Sequence, residues 1–549
     1  MLRARLVRYG GLVGSVLLAV TAYLGGATSP WHPTMTPRTV FAGADGVLLP
    51  LTWLLGTVLL IAAWWLGRTA VPSLRWAYVT AGLWVLPLLP VLPLGSYDVH
   101  SYACQGWALA TGHDPYAAGV RELGCPWTQA VAPTWRDSPA PYGPVFLVLA
   151  AGAARLGGSL AGTVAVLRAL AVLGVALIGA CLPVLARRHG VAPERAVWLV
   201  LACPLVVVHL VSGAHNDAVM VGLLVAGLAV AAAAAVPASP NSPDSPSGPD
   251  PLGGPDSPGG PDSLGGAALP SSAALPSGLP SPGGRAASRS GGPLGRAGLL
   301  AGAGVLLGLA IGVKVTAIVV LPFAVLAAVS VRAVSTTAGP QASGPGTAGA
   351  GDRRVPWRAL WVPGAVIGAA AAGALAAVSF VTGLGFGWAR NLADSGVSVQ
   401  WTSPPTAVGL SVSTLARGFG AKVDAVPVTR LLGVAALAVV LVVLWWRARS
   451  GGALLGAGLA LAATVALAPV FHPWYLTWPL AVLAATTRGA ARWLAVPCAI
   501  AAALCLPDGY NLALATRAQG AFAVTALLVV ILVVPWVRTR RRTAEPAGS

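Results

Sequence analysis

Apolar runs long enough to cross a hydrocarbon core recur along the whole chain, and polar residues are confined to the gaps between them. Stretches of roughly 17 to 25 such residues fall at 9–28, 46–66, 77–94, 160–186, 194–210, 217–236, 297–312, 315–333, 359–383, 429–447, 453–469, 473–487, 492–507 and 519–537. They predict an all-α, polytopic integral membrane helical bundle with about 13–14 transmembrane helices. The weaker run 142–156 is read as a juxtamembrane or re-entrant helix. A crossing there would carry Arg187 and Arg188 to the side opposite the other arginines.

Charge placement supports that count. Arg68 and Arg75, Arg187 and Arg188, Arg332 with Arg353 and Arg354, Arg447 and Arg449, Arg488 and Arg492, and Arg538 to Arg542 all fall on one side, which the positive-inside rule makes cytoplasmic. Both termini are then cytoplasmic, and Asp98, Asp114, Glu122, Asp137, Asp217, Asp394, Asp424 and Asp508 come out on the external face. Arg3, Arg5 and Arg8 precede the apolar run 10–24, which is expected to be a retained signal anchor.

Composition narrows the class. The 549 residues are 56% hydrophobic and 9% charged, which excludes a soluble globular protein. A net charge of +18 would suggest nucleic acid in a soluble chain, but these arginines flank apolar runs and no nucleic-acid partner is expected. The expected organisation is an N-terminal transmembrane part, 1–236, with an external loop at 95–141; a Pro/Gly/Ser-rich disordered cytoplasmic linker, 237–296; a C-terminal transmembrane part, 297–537, with an external loop at 384–428; and a basic tail, 538–549. Residues 336–352 form a shorter low-complexity stretch.

The chemistry concentrates in the external segments. Asp98 stands just after an apolar run, among Tyr97, His100, Tyr102 and Gln105, and is the candidate general base; the plainer reading is a carboxylate ending a helix. Tyr142 follows the rigid turn Ser-Pro-Ala-Pro at 138–141. His215, Asn216 and Asp217 form a second polar cluster, where Asn216 or Asp217 equally suits a helix cap and His215 with Asp217 gives only a weak metal signal. Lys314 interrupts two apolar runs in a chain with only two lysines; its ammonium must snorkel or meet an anion, and a point charge there suggests a phosphate contact. Arg390 is a second candidate cation, beside Trp401. His472, Trp474 and Tyr475 sit at a helix junction where an aromatic belt has the same composition. Cys104 and Cys125 are placed to pair if their segment faces an oxidising compartment. The remaining four cysteines read as small core residues.

Taken in order, Ser-Tyr-Asp-Val-His-Ser-Tyr (96–102), Gly-His-Asp-Pro-Tyr (112–116), Ser-Pro-Ala-Pro-Tyr-Gly-Pro (138–144), Ala-His-Asn-Asp-Ala (214–218), Gly-Val-Lys-Val-Thr-Ala (312–317) and His-Pro-Trp-Tyr-Leu-Thr-Trp-Pro (472–479) resemble the actinobacterial polyprenol-phosphate-mannose-dependent α-1,6-mannosyltransferases. These are GT-C glycosyltransferases of mannan and lipomannan assembly, and the resemblance runs over residues 95–479. It implies a GT-C-like fold, a catalytic acid at Asp98, a lipid-linked mannosyl phosphate donor and a mannan or lipoglycan acceptor. It also implies substrate contacts at His100, Tyr102, Tyr142, His215, Asn216, Asp217, Lys314, Arg390, Trp401, His472, Trp474 and Tyr475. Many GT-C enzymes carry two adjacent acids at this place. Here Val99 follows Asp98, so a single-base scheme without metal or other cofactor fits better. The rival from another class is a transporter or flippase of a lipid-linked sugar.

Overall fold

A run of apolar residues stays helical in a bilayer because only a helix satisfies its own backbone there. A computed structural model describes residues 2–33, 39, 46–235, 293–329, 354–392, 399–489 and 491–544. Among them, seven helices are long and apolar enough to cross a membrane: Leu2–Gly25, Leu48–Gly67, Leu160–Arg188, Leu294–Val313, Trp357–Val381, Val426–Ala448 and Arg517–Val534. The chain is a polytopic helical membrane protein. Of the expected linker 237–296, residues 237–292 lie outside the described residues, whereas 293–296 already belong to the helix Pro293–Val313; the stretch 336–352, Asp394, Arg332, Arg353 and the last residues of the tail also lie outside them.

The other expected spans are short or broken, each for a local reason. The run 194–210 divides into Pro193–Leu201 and Val206–Ser212, bent by 62°, with Pro204 in the break and the second piece wound as a π-helix. The run 77–94 is helical only over Leu74–Val85 before a tight turn through Pro87. At 315–333 a 3-10 turn, Val315–Val320, leads into Leu321–Ala327, and at 473–487 another, Pro473–Leu476, leads into Thr477–Thr486. Helices Pro144–Gly157, Asp217–Ala233 and Ala453–Leu467 are apolar but short. Several breaks adjoin polar residues, at 213–216, 314 and 472, and irregular backbone at membrane depth is tolerated where it borders a cavity.

A cluster of indoles stitches the N-terminal helices together. Trp64, Trp84 and Trp198 are fully buried, and the Trp198 indole donates to the Trp64 carbonyl at 3.0 Å. Helices Val426–Ala448 and Arg517–Val534 lie at the periphery, with only 6% of their apolar windows buried in protein, so lipid must cover the rest.

Arginines gather at one end of the bundle. Arg3 donates to the Leu66 carbonyl, Arg188 to that of Ala232, Arg296 to that of Ala234 and Arg195 to those of Thr487 and Arg488. The helix Asp217–Ala233 runs from this end to the acidic one, about 25 Å away at 1.5 Å per residue.

At the acidic end, the segment after Asp98 folds as the helix Asp98–Ala110 and a knot of turns. A disulfide joins Cys104 of that helix to Cys125 of the turns, closing a loop with a sequence separation of 21. Replacing both with Ser is expected to lower unfolding stability by about 3 kcal/mol, read from thermal unfolding with and without reductant. Two free thiols by mass spectrometry of the unreduced protein would remove the basis for that expectation.

Candidate active site

Residues three and four apart share a helix face, and the helix Asp98–Ala110 uses this to build a wall. Asp98, Ser101, Tyr102 and Gln105 all line one cavity of about 500 Å³. Asp98 opens the helix. Its side chain is 19% exposed and therefore reaches the cavity. The Asp98 backbone N–H donates to Ser96 Oγ at 3.0 Å, and His215 Nδ1 lies 3.9 Å from the carboxylate. Burial pushes the Asp98 carboxyl up to about 6, against the lowering by Ser96 and Lys314. Such a group is ionised at neutral pH yet close enough to it to accept a proton.

Tyr142 and Lys314 meet at the next wall because two backbones touch. Gly143 donates to the Val313 carbonyl at 3.3 Å, and a Cβ on Gly143 would lie 2.2 Å from the Gly312 oxygen. No side chain fits there. Tyr142 then packs edge-on against Tyr102, ring centres 5.2 Å apart.

The ammonium of Lys314 meets an anion within the chain. Its Nζ is 2.9 Å from Asp217 Oδ1, and the Trp478 indole donates to the same oxygen at 2.7 Å. The ring centre of Tyr475 lies 4.3 Å from Nζ and that of Trp478 5.1 Å. Asp217, with no exposed side-chain surface, does not line the cavity; it holds Lys314. Asn216 occupies the N-cap position, but its side chain makes no capping bond. His215 is buried behind Asp98, 3.3 Å from the Tyr102 hydroxyl.

The facing wall comes from far along the chain. His472 stacks on Trp474 at 4.8 Å and 6°, and His215 packs on the same indole at 4.1 Å. His472, Trp474 and Tyr475 line the cavity, giving apolar ring faces and polar edges opposite the carboxylate. Among the described residues no three His, Cys, Asp or Glu side chains converge into a set that could hold a metal.

Six expected contacts do not line the cavity: His215, Asn216 and Asp217, buried behind its wall, and His100, Arg390 and Trp401. His100, two residues after Asp98, points about 200° around the helix from it. Its Nδ1 meets the Ala130 carbonyl at 3.1 Å, which makes it a brace for the turns, and burial pulls the imidazole down to about 4. Arg390 is exposed on the short helix Trp388–Asn391, outside the cavity lining. Its neighbour Asn391 is the inward residue, donating to the Tyr116 and Ala140 carbonyls. Trp401 packs against Gly520 and donates to Thr516, holding the last helix instead of a ligand.

Trp135 and Arg430 both border the cavity. Arg430 had a signal: it is the one charged residue between Val426 and Trp446, and ionisable groups inside apolar spans are usually functional.

These features define a polytopic membrane protein that gathers its polar chemistry in one chamber at the acidic end of a helical bundle. Residues 8–330 match the family described as "Alpha-(1->6)-mannopyranosyltransferase, N-terminal domain", and residues 405–536 match "MptB C-terminal domain". The chain belongs to the alpha-(1->6)-mannopyranosyltransferase family. It is 31% identical to a probable alpha-(1->6)-mannopyranosyltransferase of Mycolicibacterium smegmatis, over 100% of this chain and 92% of that protein. It is 33% identical to an alpha-(1->6)-mannopyranosyltransferase of Mycobacterium tuberculosis, over 96% and 88%. Alpha-(1->6)-mannopyranosyltransferase B of Corynebacterium glutamicum is 28% identical over 97% and 82%. No solved structure matches the chain.

Proposed function

We propose that the chain is an inverting membrane glycosyltransferase of the GT-C class, moving mannose from a polyprenyl-phosphate carrier to a hydroxyl of a cell-envelope mannan or lipoglycan with an α-1,6 linkage. The observation that carries this reading is the mostly buried Asp98 carboxylate facing an aromatic wall across a sugar-sized cavity. The names of the family relatives supply the sugar and the linkage.

An alcohol is a weak nucleophile until its proton has an acceptor. Asp98 takes the proton from the acceptor hydroxyl as that oxygen attacks the anomeric carbon. The bond from that carbon to the phosphate oxygen breaks on the opposite face, and the polyprenyl phosphate departs with the electron pair. A β-linked donor then gives an α-mannoside. Ring faces at Trp474 and Tyr475 suit the apolar face of a pyranose, and His472 presents a polar edge beside them. The scheme uses one base and no cofactor.

The arginine-lined end is cytoplasmic in this reading and the Asp98 end extracytoplasmic, by the positive-inside rule. Lipid-linked sugar then enters from the outer leaflet.

Transfer is tested with labelled polyprenyl phosphomannose, membranes containing the protein and linkage analysis of the product. Movement of the intact carrier without a new glycosidic bond would replace this reading with a transporter. A second measurement follows from the raised Asp98. The base is active only when ionised, so kcat/KM is expected to climb about tenfold per pH unit below about 6 and to level off above it. A profile flat from pH 5 to 8 would take proton acceptance away from this carboxyl.

A further inference from the structure

The helix Asp98–Ala110 carries two more polar residues on the face that begins with the base. Ser101 and Gln105 follow Asp98 by three and seven residues, so both point the same way, and Gln105 lies about 10 Å further along the axis. Both line the cavity. Neither takes part in the steps proposed above.

The helix is fixed on either side of Gln105. Cys104 is tied to Cys125, and Gly106 lies so close to the next helix that a Cβ there would run into the Ala150 carbonyl. The Gln105 amide between these anchors is 3% exposed, yet only one of its ends is matched. Nε2 donates to Ser101 Oγ at 3.3 Å, whereas Oε1 is buried without a hydrogen-bond partner among the described residues. The Ser101 hydroxyl receives that bond and keeps its own proton to donate.

A buried polar atom is ordinarily paired, and one set in a cavity wall points to a ligand that pairs it. The ligand that suits these two side chains is a neutral polyhydroxy compound. Gln105 Oε1 accepts from one hydroxyl, and Ser101 donates to another. An ionised phosphate offers Oε1 no proton. Which sugar is held follows from where the pair stands. In a displacement with inversion the base lies on the nucleophile's side of the reacting carbon and the leaving phosphate on the other. The helix that bears Asp98 is therefore the acceptor's wall. Val315, Val465, Ala468 and Val470 supply an apolar lining for a lipid tail, and none of them is on this helix. We infer that Gln105 and Ser101 select the acceptor, by hydrogen bonds to hydroxyls of the acceptor glycan that do not themselves react. The inference rests on the glycosyl-transfer reading above and adds to it the residues that choose the acceptor.

The test compares wild type, Gln105→Met and Ser101→Ala in reconstituted membranes, with polyprenyl phosphomannose as donor. The acceptors are methyl α-1,6-dimannoside and its monodeoxy analogues, the reacting hydroxyl being kept in all. Methionine is close to glutamine in length and lacks its amide. Gln105→Met is expected to raise the acceptor KM about tenfold or more and to leave the donor KM unchanged. At least one monodeoxy analogue should lose about tenfold in kcat/KM with wild type and less than about twofold with Gln105→Met, because the hydroxyl it lacks has no partner left to lose. A merely structural role would lower the use of every acceptor alike. Ser101→Ala, a smaller change in case Gln105→Met fails to insert, should show the same loss of discrimination in weaker form. Acceptor KM at the wild-type value in both variants, or equal losses across the deoxy series in all three proteins, would overturn the inference. A raised donor KM with the acceptor KM unchanged would do so too. Direct titration of wild type and Gln105→Met with the dimannoside separates this inference from the proposed function. If mannosyl transfer is absent from wild type but the dimannoside binds through Gln105, the function fails and the sugar site stands. If wild type transfers mannose and both variants match it on every acceptor, the function stands and the inference fails.

Discussion

Asp98→Asn is expected to leave the protein folded and inserted while lowering mannosyl transfer about a thousandfold. The amide matches the carboxylate in shape and leaves the backbone N–H bond to Ser96 Oγ in place, so the helix start has no reason to move. It also removes a charge that burial disfavours, so stability should hold or rise. What it cannot do is receive a proton from an attacking hydroxyl. Binding of the donor should survive, because the substitution leaves the other walls of the cavity unchanged. Transfer within a few-fold of wild type would show that a different group acts as base.

The second large effect concerns stability. Asp217→Asn leaves the Lys314 ammonium without its counter-ion, and Lys314→Met leaves a carboxylate with no exposed surface unpaired. Removing one member of a buried pair typically costs about 3–5 kcal/mol, because the partner's charge stays desolvated. The double variant Asp217→Asn with Lys314→Met removes both charges and should recover most of the loss. Unfolding of the three variants in the same detergent measures this directly. If the double variant is as unstable as the sum of the singles, the two side chains are not acting as a pair.

Much of the chamber was legible from polar interruptions in apolar runs. Asp98, Tyr102, Tyr142, Lys314, His472, Trp474 and Tyr475 all stand at such interruptions, and all line the cavity. Long-range pairing was not legible. Lys314 and Asp217 are 97 residues apart, and no local pattern says that one neutralises the other. His100 stands two residues after Asp98, and helical periodicity turns it toward Ala130, which its closeness in sequence does not reveal. Arg430 was hidden because a charge one turn into a span resembles a boundary residue. The helix count was read from apolar length alone. Prolines at 87, 204, 322 and 473 shorten or bend several of those runs, and interior breaks do not change mean hydropathy enough to be seen.

The walls of the chamber come from residues near 98, 142, 314, 430 and 472, so nearly the whole polypeptide must leave the ribosome before it encloses anything. At ordinary rates of synthesis the newborn helix bearing the carboxylate waits on the order of tens of seconds for its far wall. During that interval the acid is wet and inert. A product halted before Trp478 enters the bilayer as a protein with nothing to close around.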